Sequence, residues 1–245
     1  MPRERAVANL NRSVVLVAGG AGAVGGGIVG ALLDAGATVV VPSRDEGRLD
    51  ALRQSVGGAD RLLGVVGDVA SPQDADRVRE HIVGAVGPPD AVIVAVGGWS
   101  SGPKLADVLL PDWEAVMARN LRTHQVIAST YVPLLRGRPA AAYCVIVGDT
   151  ATTPAAGAGP VSVTAAAELM AARVLGLEER DSGVQVLALV LGPVARRAQD
   201  GKDGKEAQLT ARDVGEAVAK RLIARAGSTT ASDTDIIVLP DRSAG

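Results

Sequence analysis

The chain has 245 residues, 47% hydrophobic and 21% charged, with a formal net charge of −2. That suffices for one large domain with a substantial core, and the near-neutral balance gives nucleic acid or an acidic membrane surface no electrostatic hold. The single cysteine, Cys144, excludes an intrachain disulfide, two histidines argue against a histidine-built metal site, and two Trp, two Tyr and no Phe argue against a base-stacking surface.

The opening MPRERAVANLNR is polar, and the apolar run after it stops at Gly19-Gly20. Neither a signal peptide nor a membrane span is expected, and the cytoplasm is the expected compartment. Short β-rich runs then alternate with helical patterns. The runs are Val14–Ala18, Thr38–Val41, Leu62–Val66, Ala91–Val96, Tyr143–Val147, Val184–Val190 and Asp235–Leu239. Without polar alternation, such runs suit strands buried on both faces of a parallel sheet. Ile28, Val29, Leu32 and Leu33 form a helical stripe ended by Gly36, and Ser71-Pro72 opens a second helix. Pro111-Asp112 opens a third through Trp113, Val116, Met117, Asn120 and Leu121, and others run from about Val163 to Arg180 and Ala211 to Ala226. The expected fold is one α/β domain over 1–245: a doubly wound, Rossmann-type, seven-stranded parallel sheet with helices on both faces. The polar stretch 196–208 reads as a surface loop within it.

Gly19, Gly22 and Gly25 form G-x-x-G-x-x-G between the first strand and first helix. A turn of this kind brings backbone and helix N–H groups up to a pyrophosphate. At the second strand's end stand Ser43 and Arg44, where an NAD site has an acid for the ribose 2′-hydroxyl. Arg44 pairs bidentately with phosphate and Ser43 donates a hydrogen bond, which favours NADP(H). Ala23 and the extra Gly26-Gly27 leave a second outcome, a reshaped turn with no dinucleotide bound.

From these features the chain resembles the short-chain dehydrogenase/reductase superfamily over almost its whole length. The turn at 19–25, with Ala23 and Val24 inside it, resembles that of the extended and atypical branches. Gly67-Asp68-Val69 matches the family's Asp-plus-aliphatic pair beside the adenine, and Trp113-x-x-Val-x-x-x-Asn120 matches its active-site Asn helix. Val94-Ala-Val-Gly97 stands where the family has Asn-Asn-Ala-Gly, so Gly97 is carried over as a cofactor contact. The stretch from Gly183 to Val194 resembles the sixth strand and the turn over the nicotinamide.

The catalytic positions depart from the family. Its Tyr position falls on Val161, its Lys position on Ala165, and its Ser position on Gly148 or Asp149; Arg196 replaces a Thr after the Pro-Gly turn. No Tyr-x-x-x-Lys occurs anywhere in the chain. A tyrosine near pKa 10 needs a neighbouring cation to act as a base at neutral pH, and here both members are missing. Three readings follow. The chain is a cofactor-binding or regulatory subunit without conventional chemistry. Or it is an enzyme with a rebuilt site, using Asn120, Asp149 and Thr150, with Trp99, Ser100, Ser101, Ser162 and Thr164 nearby, for atypical reduction, dehydration or cyclisation of a small carbonyl or hydroxyl compound. Or it is one half of a hetero-oligomer with a catalytically complete relative; the resemblance otherwise implies a homodimer or homotetramer through the Ala-rich helix from Val163.

Overall fold

The computed structural model describes residues 9–58, 60–195, 209–226 and 234–239. Strands β1 Val14–Ala18, β2 Thr38–Ser43, β3 Leu62–Val66, β4 Ala91–Val94, β5 Ala142–Gly148, β6 Gln185–Leu191 and β9 Asp235–Leu239 form one sheet in the order β3-β2-β1-β4-β5-β6-β9. Every pairing in it is parallel. Between them run α1 Ala23–Asp34, α2 Glu46–Ser55, α3 Pro72–Val86, α4 Leu110–Met117, α5 Thr123–Leu135, α6 Gly159–Glu178 and α7 Ala211–Ala226.

Successive strand residues point to opposite faces, so each apolar run feeds two cores. Val15, Val17, Val39, Val41, Cys144 and Leu187 pack under α1, α2 and α7. Leu16, Val40, Val92, Tyr143, Val145 and Ala188 pack under α3, α5 and α6. Pro42 is tolerated because β2 meets β1 only through Thr38, Val39 and Val40, leaving no partner on that side for the N–H that proline lacks. Helix α6 has the length and mean hydropathy, 1.3, to cross a membrane. Its buried Val161, Ala165, Leu169 and Ala172 face the fold, so the core accounts for that character.

Several expectations change. The third helix is three segments: α4, a π-helical turn Ala118–Arg122, and α5. The fourth strand ends at Val94 rather than Val96, before Gly97 turns with φ +102°. Two short strands, β7 Val194–Ala195 and β8 Leu209–Thr210, pair in parallel, a contact that no hydrophobic run announces. The stretch 196–208, with Arg196, lies outside the described residues. Gly27 has a role outside the nucleotide turn. A Cβ there would lie 2.2 Å from the Ala211 carbonyl oxygen, and one on Gly215 would lie 2.3 Å from that of Gly27, so the two glycines let α7 lie against α1.

Candidate functional site

The strand order reverses between β1 and β4, which opens a crevice at their carboxyl ends. Into it projects the turn 19–25. Gly19 has φ +83°, and a Cβ there would meet the Ala95 carbonyl oxygen at 2.2 Å; one on Gly25 would meet the Gly19 carbonyl oxygen at 2.1 Å. Only glycine fits at either place, and the chain from β1 folds back tightly over the start of α1. Gly22 occupies the N-cap without a side-chain hydrogen bond, and the first turn carries no acid. The N–H groups of Ala23, Val24 and Gly25 are therefore the free donors every helix start presents, aimed at the crevice. A pyrophosphate fits this cradle.

The second-strand residues stand beside it. The Arg44 guanidinium is three-quarters exposed and 4.0 Å from the Asp68 carboxylate, so the two frame one stretch of surface past the ends of β2 and β3. Asp68 is oriented by Ala70, whose N–H donates to its Oδ1 at 2.9 Å, while its own N–H donates to Asp74. Those bonds hold the Asp74 carboxyl below its usual range, chiefly the Asp68 N–H, then Arg77. The Ser43 hydroxyl is already engaged: it accepts from the Asp45 N–H at 3.2 Å and donates to the Asp45 carbonyl at 3.1 Å. Asp45 in turn caps α2 by accepting from Arg48. Ser43 thus shapes the turn that presents Arg44. Val69 faces the core rather than the crevice.

On the far side, the wider π turn carries Asn120 inward, and Thr123 braces that turn by donating to the Ala118 carbonyl at 3.1 Å. A Cβ on Gly97 would come within 3.2 Å of the Asn120 amide, so that glycine leaves it room. Asn120 is buried; its Nδ2 donates to Thr164 Oγ1 at 3.1 Å, and its Oδ1 accepts from Arg119 at 3.3 Å. Thr164, fully buried, donates onward to the Val161 carbonyl at 3.0 Å. Thr164→Val keeps the shape and orphans the buried amide. It is expected to cost about 1–3 kcal/mol, read from the shift in urea midpoint.

Val161 and Ala165 lie one turn apart on α6, both buried and apolar. Gly148 ends β5 and is exposed, and Asp149, half-exposed, begins a short turn closed by Thr152 and Thr153 N–H groups on its carbonyl. Thr150 is buried beside it, and Trp99 is exposed at the rim. Ser162 Oγ is a buried hydroxyl with no hydrogen-bond partner among the described residues. Both tyrosines lie in the core instead, where burial pushes their hydroxyls far above the usual phenol range. Burial likewise pushes the Cys144 thiol up to about 12, which leaves it unreactive. No group of three His, Cys, Asp or Glu side chains among the described residues is placed to hold a metal.

Sequence reasoning missed one feature beneath this site. His124 and Glu168, one turn beyond Asn120 and Thr164, are buried with Nε2 and Oε2 3.8 Å apart. That is within ion-pair range, yet no hydrogen bond spans it. Burial lowers His124 to about 4 against a hydrogen bond to the Val96 backbone, and raises Glu168 to about 8. Both shifts favour the neutral forms, so the pair is neutral at pH 7. The signal was available in outline: two polar residues on the apolar stripes of facing helices.

Comparison with known proteins bears on the fold and the family. An uncharacterized oxidoreductase of Mycobacterium tuberculosis is 31% identical over 127 residues, which cover 51% of this chain and about half, 48%, of the relative's length. A putative D-mannonate oxidoreductase from Haemophilus influenza with bound NAD superposes with TM-score 0.83 at 13% identity, covering 94% of each chain. An NADPH-bound short chain oxidoreductase from Pseudomonas aeruginosa, described as containing an atypical catalytic center, superposes with TM-score 0.78 at 22% identity, covering 94% of this chain and 96% of its own. The family model for short chain dehydrogenases matches residues 13–207, and the chain belongs to that family.

Proposed function

We propose that this chain binds NADP(H) at the cradle of residues 19–25, with Arg44 on the 2′-phosphate and Asp68 beside the adenine, and acts as a cofactor-binding or regulatory subunit. The carrying observation is the contrast between the two ends of one crevice. The phosphate end keeps glycines that only a close backbone approach requires, while the positions for a catalytic Tyr and Lys hold buried Val161 and Ala165. Calorimetric titration with NADPH, with NADH as comparison, tests the reading; micromolar binding that favours NADPH is the expected result. Arg44→Ala is expected to weaken NADPH by about 1–3 kcal/mol and leave NADH unchanged. Equal loss for both dinucleotides would remove Arg44 from the 2′-phosphate.

A second reading is an enzyme with a rebuilt site around Asn120, Asp149 and Thr150. The Pseudomonas aeruginosa neighbour, described as NADPH-bound with an atypical catalytic center, is the observation that favours it. Asp149→Asn separates the readings, because it abolishes any turnover found in a rebuilt site and leaves NADPH affinity alone.

The proposed partner is a second copy, as homodimer or homotetramer. Val163, Met170, Val174 and Leu177 stand exposed along α6, an apolar stripe at helical spacing. A purified chain that stays monomeric by light scattering would favour assembly with a catalytically complete relative instead. The cytoplasm is the proposed compartment, consistent with a lone buried cysteine.

A further inference from the structure

Arg119 lies in the π-helical turn one residue before Asn120, and its side chain turns back onto that amide. Its Nε donates to Asn120 Oδ1 at 3.3 Å, its one bond among the described residues. Arg44, Arg77, Arg136 and Arg138 each have a carboxylate within 4.0 Å. No carboxylate of the described residues, Asp149 included, pairs with Arg119 in that way. A guanidinium held by a neutral amide keeps its whole charge.

Its surroundings put that charge at the Asn120 end of the crevice. The Asn120 amide stands 3.2 Å from where a Gly97 Cβ would lie, and Gly97 is two residues past Ala95, whose carbonyl covers Gly19. The amide is itself fixed, since Nδ2 donates to Thr164 Oγ1 and Thr164 donates to the Val161 carbonyl. Arg119 is thus tied to a buried chain of bonds that ends at Val161, where the family's Tyr position falls. Trp99, two residues beyond Gly97 and 56% exposed, offers an apolar face at the rim. The glycine cradle lies across the crevice at the start of α1, with N–H donors of its own.

With Nε engaged, the free edge of the guanidinium is its two Nη groups, whose parallel N–H bonds match the two oxygens of a carboxylate. We propose that the Asn120 end of the crevice binds a small organic carboxylate, its oxygens on Arg119 Nη1 and Nη2 and its apolar body toward Trp99. The inference deepens the reading of the crevice as a ligand site, on which it rests, by naming the class of its second ligand. The pyrophosphate of a dinucleotide is the competing anion for Arg119.

Calorimetric titration of the full chain with sodium benzoate tests this, with neutral, isosteric benzamide as control and each run made with and without NADPH. Benzoate is expected to bind at millimolar concentration, and benzamide about tenfold more weakly or less. Arg119→Ala is expected to weaken benzoate by about tenfold or more, and to leave NADPH affinity and the urea midpoint unchanged. Arg122→Ala removes the same charge from the same turn without touching the bond to Asn120, and benzoate affinity should stay as it was. Equal binding of benzamide, no benzoate binding at millimolar concentration, or unchanged affinity in Arg119→Ala would each overturn the proposal. So would an equal loss in Arg122→Ala, because diffuse charge would then be the cause. Weaker NADPH with unchanged benzoate in Arg119→Ala would assign the arginine to the pyrophosphate instead. Should NADPH itself fail to bind, the cofactor reading falls, and the benzoate series still decides in the cofactor-free protein.

Discussion

Gly25→Ala is expected to abolish dinucleotide binding and to lower stability by about 3 kcal/mol, the upper part of the range for overpacking a tight site. The added Cβ would sit 2.1 Å from the Gly19 carbonyl oxygen and 2.7 Å from the Gly20 Cα, both backbone. Neither can swing aside as a side-chain tip would. Gly19 is itself pinned at φ +83° under the Ala95 carbonyl, so relief at one glycine creates a clash at the other. The turn must open, and the N–H groups of Ala23 and Val24 then leave the geometry a pyrophosphate needs. Gly30→Ala is the matched control. It adds the same methyl inside α1 with nothing within 4 Å, and helix propensity makes it stabilising by about 0.5–1 kcal/mol. Urea midpoints and NADPH titrations of the two variants should move in opposite directions for stability and differ entirely for binding.

The buried His124–Glu168 pair is expected to cost about 2 kcal/mol of stability between pH 6.5 and 8. Burial raises Glu168 from 4.5 to about 8 and lowers His124 from 6.5 to about 4. Between pH 4.5 and 6.5 the folded pair holds one proton, on Glu168, and the unfolded pair also holds one, on His124. Stability is flat there, since neither state binds more protons. From pH 6.5 to 8 the folded pair keeps its proton and the unfolded pair has none. Folding then takes up one proton, and stability falls with rising pH by about 1.4 kcal/mol per unit. Below pH 4.5 the slope reverses, because the unfolded pair gains a second proton. Glu168→Gln removes the carboxyl, so its stability should rise from pH 4 to 6.5 as His124 loses its charge, then stay level to pH 8. Urea melts at pH 5, 6, 7 and 8 for both proteins read this directly. A parallel decline in the variant above pH 6.5 would place the titrating group elsewhere.

The glycine turn was legible in residues because its constraints are local. A glycine turn, the strand before it and the helix after it are contiguous in the chain, so G-x-x-G-x-x-G needs no knowledge of distant contacts to be read. The position of Arg44 was legible for the same reason, since it follows its strand directly. Ser43 was only half legible: its type suggested a phosphate donor, and its hydroxyl is committed to Asp45 two residues on. The missing Tyr-x-x-x-Lys is likewise a fact of one short window.

What lies across the chain was not legible. Asn120 and Thr164 are 44 residues apart, and nothing in either helix announces that they bond. His124 and Glu168 read singly as an ordinary helix histidine and glutamate. Their perturbed acidities come from desolvation by α5, α6 and the sheet packed together, a property of the assembled layers alone. Gly27 reads in sequence as an extra glycine beside the turn, and its constraint comes from Ala211 at the start of α7.

The sequence by itself determined the doubly wound sheet, the family, the glycine turn and the absence of Tyr-x-x-x-Lys. Strand and helix periodicity and contiguous turn chemistry are encoded at short range, where side-chain spacing alone sets the outcome. Only the tertiary structure decided which polar groups are shut away from water and which backbones approach to van der Waals contact. Each of these depends on what other elements remove from solvent, and dielectric and close packing act through space and not along the chain.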